Sequence, residues 1–207
     1  MRIVVTAGPT REPIDPVRFI SNRSSGKMGY ALAEAALEAE HEVTLISGPT
    51  ALTPPIGAEF VAITTSDELL RAVHEHVRSC DMLIMCAAVA DYRPLRVETQ
   101  KVQKQHGTFS LELTATPDIL ASLPNERSYT VVGFAAQTHD LASNAQRKLR
   151  AKNCDVIVAN DVSRSDSGME SDDNEVTIFF RNGDSKTILR APKKAIAREI
   201  LKIVLAE

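Results

Sequence analysis

Residues 22–29, Asn-Arg-Ser-Ser-Gly-Lys-Met-Gly, place a carboxamide, two hydroxyls and an amine just ahead of an Ala/Leu-rich helical pattern. The free N–H groups and dipole at a helix start favour an anion. Ser24, Ser25, Gly26 and Lys27 therefore read as an anion-holding helix start, or as an N-cap by Ser24 or Ser25 with a solvated Lys27; both can hold together. Asn22 is an uncharged donor and acceptor beside that site. It is the residue type that holds a developing oxyanion or an acyl carbonyl, or else a plain loop asparagine. Gly8-Pro9-Thr10, after the apolar run Arg2–Ala7, offers N–H groups and a hydroxyl for close approach of a phosphate, or forms a simple turn. Asp91, directly after an apolar run, suits Mg²⁺, a ribose hydroxyl or a turn cap. Lys101 and Lys104 sit in a polar stretch, as solvated surface or as a basic flap closing over phosphates.

The chain carries no Ser-His-Asp or Cys-His order and no acid paired with a nucleophile. Its inventory of anion binders, one amide and a few lysines suits positioning and electrostatic catalysis of nucleotidyl transfer better than covalent catalysis.

These residues need elements to hold them. Arg2–Ala7, Glu42–Ser47, Ala58–Thr64, Asp81–Ala88, Tyr129–Ala135 and Asp155–Ala159 read as strands. The nearly continuous apolar character of Asp81–Ala88 is that of a central parallel strand covered on both faces. Helices are expected over Met28–Glu38, from Ser66 through SDELLRAVHEHVRS, over Asn144–Lys152 and over Pro192–Leu205. Ser66 reads as an N-cap, with Leu69, Leu70, Val73 and Val77 on one stripe. The alternation predicts an α/β fold, a Rossmann-like doubly wound parallel sheet. The polar segments after each strand would then converge on one edge, where such sheets bind ligands. Arg96–Leu113 alternates without a helix, and Glu175–Arg190 reads as a hairpin around Asn182-Gly183. Both are expected as β extensions of one domain spanning 1–207, covered by a partner subunit because exposed strand edges need cover.

Composition narrows the classes further. Hydrophobic residues are 43% and charged residues 25% of the 207, the mix of a soluble globular domain. No apolar run approaches the ~20 residues of a membrane span, and the start lacks a signal-peptide pattern, so the expected location is cytoplasmic. A net charge of -3 disfavours a nucleic-acid binder. The three cysteines and five histidines show no metal-binding spacing.

The motifs GPTREPIDPVRFISNRSSGKMG, CAAVADYRP, TPDIL, VGFAAQT and DVIVAND, in that order across the chain, resemble phosphopantothenoylcysteine synthetase. In many bacteria that enzyme is the C-terminal half of a bifunctional coenzyme A biosynthesis protein. The resemblance implies a ligase joining phosphopantothenate to L-cysteine, either stand-alone or as an excised domain. Bacterial members use CTP as co-substrate: the carboxylate attacks the α-phosphate, pyrophosphate leaves, and the cysteine amine displaces CMP from the acyl-cytidylate. Asn22 would then hold the acyl-cytidylate carbonyl and support its conversion to product. Lys101 would be the first lysine of the flap that helps form the intermediate. Asp91, Tyr92 and Phe134 would surround the nucleotide, Asp91 through Mg²⁺. Gly8, Ser25, Lys27, Ala90, Lys148 and Lys152 would contact triphosphate or base. The family is a homodimer. Gln103 replaces a usual lysine of the flap, and Gln137 replaces a common glutamate. The alternatives are an ATP-using version and an NAD-binding reductase; the latter lacks its GxGxxG after the first strand.

Overall fold

The computed structural model describes residues 1–104, 106–137, 141–161 and 171–206. In chain order the elements are β1 (Arg2–Ala7), β2 (Arg11–Pro13), β3 (Phe19–Ser21), α1 (Lys27–Glu38), β4 (Glu42–Ser47), β5 (Glu59–Ala62), α2 (Ser66–His76), β6 (Met82–Met85), β7 (Tyr92–Pro94), β8 (Leu113–Ala115), β9 (Thr130–Gln137), α3 (Leu141–Ala151), β10 (Val156–Asp161), β11 (Asp173–Phe180), β12 (Ser185–Pro192) and α4 (Lys193–Val204).

Eight strands form one sheet in the order β12-β11-β10-β9-β6-β1-β4-β5. From β10 to β5 every pairing is parallel, while β11 and β12 add antiparallel at one edge. The α/β class expected from the alternation is the one observed. Strand residues divide between two faces with the period of two that strands impose. Ile3, Val5 and Ala7 of β1 pack with α1 and α4 residues such as Leu32, Ile196 and Ile200. Val4 joins Leu69 and Val73 of α2 and Leu149 of α3 on the other side. The chain leaves β1 toward β4 and β5, then returns to place β6 on the opposite flank of β1. The order of strands therefore reverses between β1 and β6, and the ligand edge of such sheets lies at that reversal.

Local chemistry moved several expected boundaries. Thr65, not Ser66, caps α2: its side chain accepts from Glu68 N–H, and the Glu68 carboxylate reaches back to the Thr65 N–H, a reciprocal capping box. Ser66 is instead a buried first helical residue whose N–H donates to Glu12 Oε1 at 2.9 Å. Thr65→Ala should lower stability by about 1 kcal/mol, read as an earlier urea midpoint with unchanged slope; an unmoved midpoint would dismiss the cap. α1 has no side-chain cap at all, since Gly26 stands at its N-cap with φ 79°. A Cβ there would meet Thr50 Cγ2 at 2.7 Å, and Ser24 Oγ accepts from the Gly26 N–H at 3.3 Å just ahead of the helix.

The two expected β extensions fared differently. Segment 175–190 is a hairpin, but it belongs to the main sheet as β11 and β12, with Gly183 at φ 98° in its turn. Segment 96–113 is not a strand: among its described residues only Leu113 is in one, where β8 begins and pairs with β7. The alternation of its other described residues is not that of a strand in a ladder. The hairpin of β2 and β3 inside the long loop after β1 carries no periodic signal, because three-residue strands are too short to show one.

Candidate functional site

Beyond β1 the chain does not turn away. Pro9 bridges Ala88 in parallel fashion, Ala88 N–H donates to Gly8 O at 2.9 Å, and Thr10 N–H donates to Ala88 O at 3.1 Å. Thr10 is fully buried, and its hydroxyl accepts from Ala90 N–H at 3.0 Å. The loops following the two strands at the reversal are thereby stitched into one rigid wall. Thr6 Oγ1 strengthens it by accepting from both Cys86 and Ala87 N–H at 3.0 Å.

Asn22 closes this wall. Its Nδ2 donates to Ala88 O at 3.1 Å and to Val89 O at 3.0 Å. Two facing carbonyls demand the NH₂ end of the carboxamide, so Oδ1, an acceptor, is the group through which Asn22 can meet a ligand; the expected hold on an acyl carbonyl would need the Nδ2 protons that Ala88 O and Val89 O already take.

Against the wall lies a cleft of about 640 Å³, a size suited to a nucleotide or a similarly large metabolite. Asn22, Gly26, Lys27, Asp91, Phe134, Lys148 and Lys152 line it. Gly8, Thr10, Ser25, Ala90 and Tyr92 do not: Gly8, Thr10 and Ala90 are buried in the wall behind, and Tyr92 is exposed on β7. Lys101 is exposed and outside the lining. Gln103 is likewise exposed. The Gln137 side chain lies outside the described residues.

The charge of the cleft is positive, with lysines 27, 148, 152 and 193 against aspartates 91 and 118. Lys148 Nζ donates to Phe134 O at 2.8 Å, and burial pushes its ammonium below the usual lysine range. Lys152 pairs with Asp118, and Lys27 with Asp172 at 2.6 Å. Lys27 holds the Asp172 carboxyl below its ordinary range, chiefly through that hydrogen bond. Lys193, at the start of α4, is only 6% exposed. Burial first, and then the neighbouring Lys27 charge, lower its pKa. An anionic group between these two amines would relieve their repulsion.

Lys193, Asn160, Asn174 and residues 116–120 line the cleft but were not singled out as site residues in the sequence. Asn160 lies within the quoted DVIVAND and has a buried Oδ1 with no partner among the described residues. The signal was present there. Lys193 and Lys194 look alike in sequence, and only the fold buries the first and exposes the second.

Among the described residues no cluster of three or more His, Cys, Asp or Glu side chains could cage a metal. Asp91 is an exposed carboxylate in the lining. A single carboxylate fits Mg²⁺ carried on ligand phosphates, which retains its own waters and needs no protein cage. No helix among the described residues is long and apolar enough to cross a membrane.

A family model described as the DNA/pantothenate metabolism flavoprotein C-terminal domain matches residues 1–206. The chain belongs to that family. It is 47% identical over 206 residues to the coenzyme A biosynthesis bifunctional protein CoaBC of Bacillus subtilis, covering 99% of this chain and 51% of that protein. With the Escherichia coli K12 protein of the same name it shares 42% over 207 residues, covering 97% and 50%. The chain thus spans about half the length of the curated relatives it matches. In three dimensions it superposes on the crystal structure of the C-terminal domain of CoaBC with a TM-score of 0.84 and 43% identity, covering 99% and 96% of the two chains. The fold is therefore shared over nearly the whole of this chain.

Proposed function

We propose that this chain is a phosphopantothenate–cysteine ligase acting in coenzyme A biosynthesis, with CTP as co-substrate. The observation that carries the reading is the lysine-rich cleft at the strand reversal. It is walled by the conjoined loops 8–10 and 86–91 and set in a chain homologous to the C-terminal half of CoaBC. Both proposed organic substrates that precede cysteine are polyanions, which the cleft's charge complements.

In the first step a phosphopantothenate carboxylate oxygen attacks the α-phosphorus of CTP and the bond to pyrophosphate breaks. Lys27 at the start of α1 and Lys193 at the start of α4, with Lys148 and Lys152 of the same cleft lining, hold phosphates and stabilise the charge that moves to the leaving group. Lys101 supplies a further positive charge from the exposed segment. When bound, Mg²⁺ on the phosphates would be held by Asp91 and would neutralise part of the leaving-group charge.

In the second step the cysteine nitrogen forms a bond to the acyl carbon as the acyl–phosphate bond breaks and CMP leaves. Asn22 Oδ1 accepts a hydrogen bond from the incoming amine, its orientation fixed by the two bonds from Nδ2. The enzyme is proposed to work in the cytoplasm as a homodimer.

Incubation with phosphopantothenate and CTP, with and without cysteine, separates the steps. Pyrophosphate should appear in both samples and free CMP in quantity only with cysteine. A parallel ATP arm reads nucleotide choice. No pyrophosphate from either nucleotide would refute the ligase assignment.

A further inference from the structure

We propose that Asp15 is the positioning residue of the lysine-bearing segment 98–104, fixing its backbone at Val102, one residue beyond Lys101. The catalytic part of this inference rests on the ligase reading above. The tie itself rests on geometry alone.

The Asp15 side chain is completely shielded from solvent although it lies in a surface turn. Its Oδ1 accepts from Val17 N–H and Arg18 N–H, both at 2.9 Å. Those two bonds suffice for an Asx-type turn. Oδ2 does something a turn does not require. It accepts from Arg18 Nε at 3.0 Å, from Arg18 Nη2, and from Val102 N–H at 3.1 Å, across 87 residues of sequence. Arg18 Nη2 completes the clasp by donating to Val102 O at 2.8 Å. Both backbone groups of Val102 are therefore held by one carboxylate–guanidinium pair. A second tether, Glu98 N–H to Ile14 O at 3.0 Å, leaves only Thr99, Gln100 and Lys101 between the two fixed points.

Three residues so confined can turn a side chain but cannot carry it far, since chain reach is at most about 3.5 Å per residue. Lys101 and Lys104 are exposed, so packing does not place them. The clasp is what fixes the origin of the Lys101 side chain relative to the loop 8–26. The Arg18 guanidinium, helped by the backbone donors, holds the Asp15 carboxyl well below the usual carboxylate range. A depressed value means that the tie is present above the ordinary carboxylate pKa and is lost only as pH falls through the much lower folded one. It is therefore constant across neutral pH.

Asp15→Asn discriminates the two duties. Its carbonyl oxygen can keep the turn, while its NH₂ faces the donors of Arg18 and Val102. Trypsin cleavage after Lys101 and Lys104, measured without substrates, should accelerate about tenfold or more, as loss of a charge-assisted tie raises the open population. Pyrophosphate release should fall by a similar factor while amide formation from preformed acyl-cytidylate is spared. Added to Lys101→Gln, the substitution should cost nothing more in the first step.

Unchanged cleavage overturns the tie. Faster cleavage with an additive loss, or with equal loss in both steps, overturns the positioning role. If Lys101→Gln itself leaves pyrophosphate release intact, the ligase role of Lys101 fails, and the cleavage rate alone decides the tie. Should Asp15→Asn not fold, Arg18→Gln keeps the backbone bonds of Asp15 and removes the link to Val102 O. The same acceleration is expected of it, and its absence counts against the clasp.

Discussion

Asn22→Asp should slow conversion of the acyl-cytidylate to product by about 10²–10³-fold, the scale of losing a placed polar group at a reacting centre, while pyrophosphate release falls far less. The reason lies in what the substitution does behind the cleft. Asn22 Nδ2 donates to Ala88 O and Val89 O. An aspartate puts a negative oxygen against the same two carbonyls, turning both attractions into repulsions. The side chain then leaves its orientation, and the acceptor proposed to align the cysteine amine is no longer in place. The lysines of the cleft lining are untouched, so the proposed first step retains its main stabilisation. Acyl-nucleotide should accumulate and be recoverable after quenching. Equal loss in both steps would reduce Asn22 to a wall-forming residue, and normal product formation would remove it from the mechanism.

Gly48→Ala should destabilise the fold by about 2–3 kcal/mol and weaken nucleotide binding in the fraction that remains folded. Gly48 follows β4 and faces the first turn of the wall. A Cβ there would stand 1.9 Å from Pro9 O and 2.8 Å from Pro9 C. Both are backbone atoms, so no rotamer change relieves the overlap and the wall itself must move. Pro9 bridges Ala88, and Thr10 holds Ala90, so the displacement is delivered to the cleft. Urea unfolding measures the first effect and calorimetric titration with nucleotide the second. An unchanged midpoint together with unchanged affinity would show that Gly48 is a passive turn residue.

The parallel core was legible because its strands are long enough for composition to speak: the apolar run ending at Ala88 contains β6, beside β1 at the reversal. The cleft was half legible. Asn22, Lys27, Asp91, Phe134, Lys148 and Lys152 line it as motif and resemblance suggested. Thr10 looked equally available for a phosphate, yet its hydroxyl is consumed by Ala90 N–H. Hydrogen-bond partners 80 residues apart leave no trace in local sequence. Lys193 was invisible for a related reason. Burying a lysine depends on which turn of α4 faces the sheet edge, and that register is set by Ile196 and Ile200 packing on the core. The misjudged segment 96–113 shows the converse error: alternation marks a strand only where a neighbour supplies the ladder, and among the segment's described residues just Leu113 lies in one.

Within the cleft, Lys152 is ion-paired with Asp118 and Lys27 with Asp172. Those carboxylates act as competitors built into the chain. On the proposed ligase reading, a phosphate seated on Lys27 or Lys152 must displace that carboxylate, and a departing product leaves the lysine to a group that never diffuses away. On that reading the two carboxylates would moderate affinity for polyanions and assist exit. On the ligase reading, neutralising Asp118 or Asp172 should tighten the hold on CMP and pyrophosphate, read as a lower inhibition constant for each, and slow their release.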